Sequence, residues 1–326
     1  MKQPSAPDSS VPRPSHAGQQ AISASWLRDP WSRALLQLAL LLVAIWSVRS
    51  CKPPPKLRVT FLDVGQGDAI VLETGDRRTM LVDAGPAETT NGRTWNAGER
   101  VVVPYLRYRR IRRLDVVVLS HPHQDHLGGM SAVLAEYPPD LAVDPGIPFP
   151  SPAYAEFLEA VRKAHCRYVR AAEGLQIRLG RHVVLSALSP PPGRADDADL
   201  DVNDRSLVLL ATCGGVTFLL TGDAGAEVES RLADRLGDVT VLKVAHHGSA
   251  RSTSEALLST CRPEVAVISV GANNQFGHPS RAALDRLAEA GVRVFRTDLH
   301  GAVTATTDGR QVTVETMLPG PAAIGP

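Results

Sequence analysis

The sequence predicts an α/β protein with two β-sheets packed together and helices on the outside. Three observations carry that reading. Short apolar or β-branched runs alternate with helical stretches across residues 57–317. The run 114–119 is almost wholly apolar, the pattern of a strand covered on both faces. Polar residues recur where these strands end, which makes the strand-end loops the place to look for a site.

The elements follow in order. Residues 57–64, 69–74 and 79–82 read as strands separated by glycine-containing turns. Residues 101–110 and 131–137 read as helices on either side of the 114–119 strand, and 154–164 is an amphipathic helix. Strands are expected at 183–188, 207–212, 216–220 and 239–244, with a helix at 224–236. The last third alternates helix 255–259, strand 265–270, helix 281–290 and strand 292–296, then a strand pair over 302–317 turning at Asp308-Gly309.

Ahead of this domain, residues 1–32 are rich in Pro, Ser, Ala and Gln and are expected to be a disordered tail. The apolar run 34–48, within a segment 33–50 bounded by Arg33 and Arg49, is shorter than the roughly 20 residues that span a bilayer comfortably. It reads as a short membrane anchor or the core of an export signal, with a buried soluble helix as the alternative. The large domain is expected to lie outside the cytoplasm. Residues 51–56 form a Pro-rich linker, and 318–326 a terminal tail.

Length allows one large core or two modest ones in 326 residues. Lys+Arg total 35 against 34 Asp+Glu, so overall charge does not drive polyanion binding. The local run Arg107-Tyr108-Arg109-Arg110-Ile111-Arg112-Arg113 could still track a phosphate backbone, or be a solvated helix end. Four cysteines without C-x-x-C spacing indicate neither a zinc ribbon nor a thioredoxin-type site.

The stretch Ser120-His121-Pro122-His123-Gln124-Asp125-His126-Leu127-Gly128-Gly129 places three imidazoles and a carboxylate in one loop at the end of a strand. Imidazole and carboxylate together suit zinc, manganese or iron, and the alternating spacing lets one loop feed two ions. Four further clusters end strands: Asp83-Ala84-Gly85, Thr221-Gly222-Asp223, Lys243-Val244-Ala245-His246-His247-Gly248-Ser249, and Asn273-Asn274-Gln275-Phe276-Gly277-His278-Pro279-Ser280. Each alone is weak; their joint occurrence in this order is the signal.

That order, Asp83, His121-x-His123-x-Asp125-His126, Asp223, His246-His247, resembles the metallo-β-lactamase fold superfamily. The phrases Asp63-Val64-Gly65-Gln66-Gly67-Asp68-Ala69, Asn203-Asp204-Arg205-Ser206-Leu207-Val208 and Gly277-His278-Pro279-Ser280 resemble the extracellular hydrolase domain of ComEC-type DNA-uptake (competence) proteins. The resemblance covers roughly residues 57–317 and implies a four-layer αββα sandwich with metals at one edge. It implies that His121 and His123 bind a first metal, that Asp125 and His126 bind a second, and that Asp223 bridges both. His247, or alternatively His246, completes the second site. Asp83 buttresses the metal loop, and Asp68 lies near it. The superfamily often supplies another histidine to the first metal. Here only His165 and His182 lie in the interval, in non-matching contexts, and the Asn203–Ser206 turn takes that place, so the first site is expected to be incomplete. The large multi-span channel of ComEC-type proteins is lacking, and a separate channel protein is a possible partner.

The expected cofactors are two divalent ions, zinc or manganese, and the expected chemistry is hydrolysis by a metal-activated water. Asp125, Asp223 and His278 are the candidate catalytic residues. Asn203, Lys243, Asn273 and His278 are candidate hydrogen-bond donors to a phosphate, although Lys243 also reads as a solvent-facing strand residue. The leading expectation is a phosphodiesterase or nuclease acting on DNA. The alternatives are a small-molecule phosphodiester or ester hydrolase of the cell envelope, and a non-catalytic nucleic-acid-binding module.

Overall fold

The computed structural model describes residues 29–50, 55–90 and 92–320. The expected tail falls almost entirely outside them, as do linker residues 51–54, Cys51 and the terminal 321–326. The chain divides into two units, residues 1–53 and 54–326.

In the first unit a helix covers Pro30–Ser50. Asp29 starts it, its carboxylate accepting from the Ser32 amide and hydroxyl, each at 3.0 Å. Leu35, Leu38, Leu40, Leu41, Leu42 and Val43 are all exposed. No helix among the described residues is long and apolar enough to cross a membrane. The segment expected over 34–48 as a membrane anchor or export signal forms a helix here, its apolar run interrupted by Gln37 and bounded by Arg33 and Arg49.

In the second unit the strands are β1 (Leu57–Phe61), β2 (Ile70–Thr74), β3 (Thr79–Val82), β4 (Ala87–Thr90), β5 (Arg93–Asn96), β6 (Leu114–Val118), β7 (Pro139–Asp144), β8 (Arg167–Arg170) and β9 (Gln176–Leu179). They continue with β10 (Val183–Ser189), β11 (Val208–Cys213), β12 (Val216–Leu220), β13 (Val241–Lys243), β14 (Val265–Ile268), β15 (Arg293–Arg296), β16 (Val303–Thr307) and β17 (Val312–Thr316). An eight-stranded sheet runs β17-β16-β1-β2-β3-β6-β7-β8, and a seven-stranded sheet runs β15-β14-β13-β12-β11-β10-β9.

Side-chain alternation explains the layering. From β6, Val116 and Val118 point between the sheets, where they share a core with Phe61, Leu209, Phe218 and Val267. Val117 points the other way, into a second core with Val103, Leu106, Val133, Leu134, Phe157 and Val161 from the covering helices. On the far sheet Leu219, Leu242 and Ala266 do the same with Val228, Leu232, Leu257 and Leu287. The result is the expected αββα sandwich, with β6 buried along its whole length.

Both sheets contain a parallel set, β3-β6-β7-β8 in one and β12-β13-β14-β15 in the other. Within each set the C-terminal ends of the strands share one edge, where loops must form a crevice. The residues following β3, β6, β12, β13 and β14 are those that the sequence singles out. The sequence reading misses β4, β5, β7, β8 and β9. Pro139 opens β7, while β8 (Arg-Tyr-Val-Arg) and β9 (Gln-Ile-Arg-Leu) are polar edge strands that lack a continuous apolar run.

Candidate metal centre

The His-rich loop is fixed to its neighbours before any side chain reaches the site. The Asp83 amide donates to the Val118 carbonyl at 2.9 Å, and the Asp83 carboxylate accepts from both the amide and the hydroxyl of Ser120 at 2.7 Å. Asp83 adopts a left-handed φ of 58°, which swings the chain away from β3 directly after the last paired residue. A helical turn, Gln124–Leu127, then folds the amides of His126 and Leu127 back onto the His123 carbonyl. Behind it the backbone runs against backbone. A Cβ on Gly98 would lie 2.1 Å from the Gly129 carbonyl oxygen, one on Gly129 2.2 Å from the Ala84 oxygen, and one on Gly128 2.1 Å from the Ala87 nitrogen.

Four side chains from three loops meet here: Asp125, His126, Asp223 and His247, with one ligand atom of each within 4.8 Å of all the others. His126 Nε2 lies 3.2 Å from Asp223 Oδ1, and His247 Nε2 lies 3.2 Å from Asp125 Oδ2 and 3.6 Å from Asp223 Oδ2. The imidazole tautomers are set from behind. Asp83 accepts from His126 Nδ1 at 2.8 Å, and the Ser269 carbonyl accepts from His247 Nδ1 at 2.9 Å. Each Nε2 lone pair is thereby aimed into the cluster. His126 Nε2 and Asp223 Oδ1 are buried and make no hydrogen bond, although they face each other. A buried nitrogen and carboxylate oxygen left in this way fit a divalent cation placed between them.

The other side of the site is thinner. His121 Nε2 lies 3.1 Å from His123 Nδ1 and 3.9 Å from Asp223 Oδ2. The Ser120 hydroxyl sits 3.1 Å from His121 Nδ1. Neither histidine of the interval between the His-rich loop and Asp223 joins them. His165 and His182 are exposed and precede β8 and β10, at the opposite end of the sheets. The 3-10 turn Asn203–Arg205 leads into Ser206 and to Leu207, whose amide donates to the Ser120 carbonyl at 2.9 Å. Asn203 Oδ1 is buried there without a partner.

Behind the ligands lies a buried cation. Lys243 has no solvent exposure; it forms an ion pair with Asp68, donates to the Gly222 carbonyl at 2.9 Å, and lies 3.7 Å from Asp223 Oδ1. The sequence reading had it facing a substrate or solvent; its partner carboxylate turns it inward instead. Asp68 also sits 3.6 Å from His126 Nδ1 and 3.7 Å from His247 Nδ1, so it supports both imidazoles. Asp68, Asp83 and His126 form a second cluster of possible ligands, but the Lys243 ammonium already neutralises it.

The charges follow from this packing. Burial alone would lower the His126 pKa, yet Asp223, Asp125 and Asp83 raise it well above the ordinary imidazole value. His247 is raised in the same way by Asp223 and Asp125. Burial would raise the Asp223 pKa, but His126 and His247 hold it well below the usual carboxylate range. Burial and the neighbouring His126 push His121 down, and burial lowers His246 and His278.

His246 and His247 both have left-handed backbones, with φ of 49° and 52°. The reversal sends His247 inward while His246 stays part-exposed at the mouth, its Nε2 3.8 Å from Asp223 Oδ2. The His278 ring completes the rim, 5.6 Å from His246 and 6.5 Å from His247. Asn273 is exposed with φ 55°; its neighbour Asn274, which the sequence reading did not single out, shapes this loop. Ser120 and the Ser269 carbonyl also escape the sequence reading, since hydroxyl and backbone partners carry no motif.

The arginine run does not reach the site. It precedes β6, whose other end bears the His-rich loop. Arg107 pairs with Glu136, Arg109 with Glu73, and Arg113 with Asp115 and Asp140. The three described cysteines, Cys166, Cys213 and Cys261, are free.

Residues 62–272 match the metallo-beta-lactamase superfamily. The chain belongs to that superfamily. It is 32% identical over 257 residues to ComE operon protein 3 of Bacillus subtilis, covering 75% of this chain and 32% of that protein. It is 33% identical over 279 residues to competence protein ComA of Neisseria gonorrhoeae, covering 84% and 35%, and 36% identical over 254 residues to recombination protein 2 of Haemophilus influenzae, covering 76% and 29%. The chain thus spans about a third of the length of these curated relatives. Membership in the metallo-beta-lactamase superfamily, with a cluster of candidate metal-binding residues, places the chain among metal-dependent hydrolases.

Proposed function

We propose that this chain is a metal-dependent phosphodiesterase that cuts DNA. The observation that carries the reading is the cluster of Asp125, His126, Asp223 and His247, with a buried imidazole nitrogen and carboxylate oxygen facing each other at its centre without a hydrogen bond. These four would hold one divalent ion, zinc or manganese. His121, His123 and the second oxygen of Asp223 would hold another less completely. A divalent ion there supplies Lewis acidity, lowering the pKa of a coordinated water from about 16 towards about 7 and drawing charge from a phosphoryl oxygen.

The chain's own residues do the rest. Asp223 is shared by the two sides and sets the spacing of the site. Asp125 is part-exposed, with 31% of its side chain accessible, so it stands where a nucleophilic water would be oriented. His278 and His246 line the mouth with depressed pKa values, so both are neutral near pH 7 and each offers one ring N–H to a phosphate oxygen. Asp83, Asp68, Ser120 and Lys243 fix the imidazoles and shut water out from behind.

DNA as substrate rests on the competence and recombination relatives, and a position outside the cytoplasm with an uptake channel as partner rests on the resemblance of residues 57–317 to ComEC-type hydrolase domains. The test is the full chain loaded with zinc or manganese and offered single-stranded DNA. Shortening of the strand that stops with chelator and in Asp223→Asn supports the reading. Cleavage of a nitrophenyl phosphodiester with intact DNA would move the substrate to a small phosphodiester. Salt-sensitive DNA binding with no hydrolysis of either would leave a binding module.

A further inference from the structure

We propose that Phe276, stacked on His278, is a base-stacking platform at one end of the catalytic crevice, which receives the nucleobase beside the scissile phosphate. The inference rests on the nucleic-acid reading above and names where the strand is gripped. Phe276 is 59% exposed, and its ring lies nearly parallel to that of His278, with centroids 5.8 Å apart and an angle of 26°. A lone exposed phenylalanine is ordinary. This one is held in place. The Asn274 side chain accepts from the Phe276 amide at 3.1 Å and the His278 amide at 3.0 Å, and donates to the carbonyls of Gly271 and His278 at 2.9 and 2.6 Å. All four bonds shape the loop around the ring, and none of them buries it.

The position matters as much as the exposure. Rings run in an unbroken row through the site: His123 to His121 at 4.8 Å, His121 to His126 at 4.2 Å, His126 to His247 at 5.3 Å and His247 to His278 at 6.5 Å. Phe276 extends the row at the His278 end, and Phe149 meets His123 edge-on at 5.6 Å at the other. A chain whose phosphate lies over Asp125 and Asp223 therefore has an aromatic face beside its neighbouring nucleotide at the His278 end. Every base has a π-face, so such a platform adds affinity without choosing a sequence. A nonpolar ring also grips the base without competing for the metal ligands.

The test compares the full chain with Phe276→Ala and Phe276→Tyr, in calcium. Each is bound to a fluorescent single-stranded oligothymidylate and to an abasic chain of equal length. The expected result is that the wild type prefers the base-bearing chain and that Phe276→Ala loses about 5- to 150-fold on it, the range of one base–aromatic stack. The abasic chain is unaffected and Phe276→Tyr behaves as wild type. The platform is overturned if Phe276→Ala binds both chains as the wild type does, or weakens on both equally. It is also overturned if the wild type binds neither, in which case DNA is not the ligand. If the wild type binds and shows the preference but does not cleave in zinc or manganese, the nuclease reading fails and the platform stands.

Discussion

The two sides of the site differ in how their ligands are supported. On the His126–His247 side each imidazole is held from behind by an acceptor, two carboxylates face it, and Lys243 balances the surplus negative charge. On the His121–His123 side two imidazoles touch each other, with the Ser120 hydroxyl behind one and Asp223 3.9 Å away. A metal site is thus defined less by the number of histidines in a motif than by whether their second nitrogens are spoken for. The His-rich loop contributes to both sides, and only one of them is finished by distant residues.

That contrast can be broken experimentally. The largest effect is expected from paired substitutions. His247→Ala should lower affinity for the first equivalent of zinc by more than the about 10- to 100-fold that loss of a supporting partner costs, while His123→Ala leaves it unchanged. Calorimetric titration reads both, and equal losses would show that the two sides are equivalent. Next, Lys243→Met leaves Asp68 buried without its cation and should destabilise the fold by about 3–5 kcal/mol in urea unfolding. The double variant Lys243→Met/Asp68→Leu should recover much of that, because it removes the uncompensated charge.

Protonation sharpens the comparison further. His126 and His247 have raised pKa values in the folded, metal-free protein. Their contribution to its stability is full below about pH 6.5, the ordinary imidazole value, and is lost as pH rises through the raised values. Asp223 is depressed, so its contribution is present above its ordinary value of 3.8 and is lost as pH falls through the depressed one. His121, His246 and His278 are depressed, so they lower stability as pH falls below about 6.5. Metal-free melting temperature should therefore peak near neutrality and decline as pH rises through the raised values of His126 and His247. Zinc should raise it most at alkaline pH, where no proton need leave His126 Nε2. A zinc-induced increment that shrinks as pH rises would contradict this assignment. The smallest effect belongs to the far end of β6: Arg110→Gln/Arg112→Gln should leave DNA cleavage, and its salt dependence, within about twofold of wild type.

The sandwich and the strand-end residues that it brings together were legible in the sequence for the same reason. Strand runs such as 114–119 and 216–220 end in short polar phrases, and parallel strands deliver those phrases to one edge. What was not legible depends on partners far away in the chain. A lysine at the end of a strand reads as solvent-facing, and only the carboxylate of Asp68 turns Lys243 inward. The arginine run looked close to the site because sequence distance ignores the length of β6. Strands β8 and β9 escaped because edge strands carry polar residues that spoil the apolar pattern.

The glycine contacts behind the His-rich loop bear on how this site can change. A candidate ligand such as His123 or Asp125 can be exchanged for another donor on the same backbone. Gly98, Gly128 and Gly129 cannot accept even a methyl group, because a carbonyl oxygen or amide nitrogen already fills the space. Variation in metal preference is therefore open to this scaffold through its histidines and carboxylates. The three residues with no side chain are the ones a library of variants would find immovable.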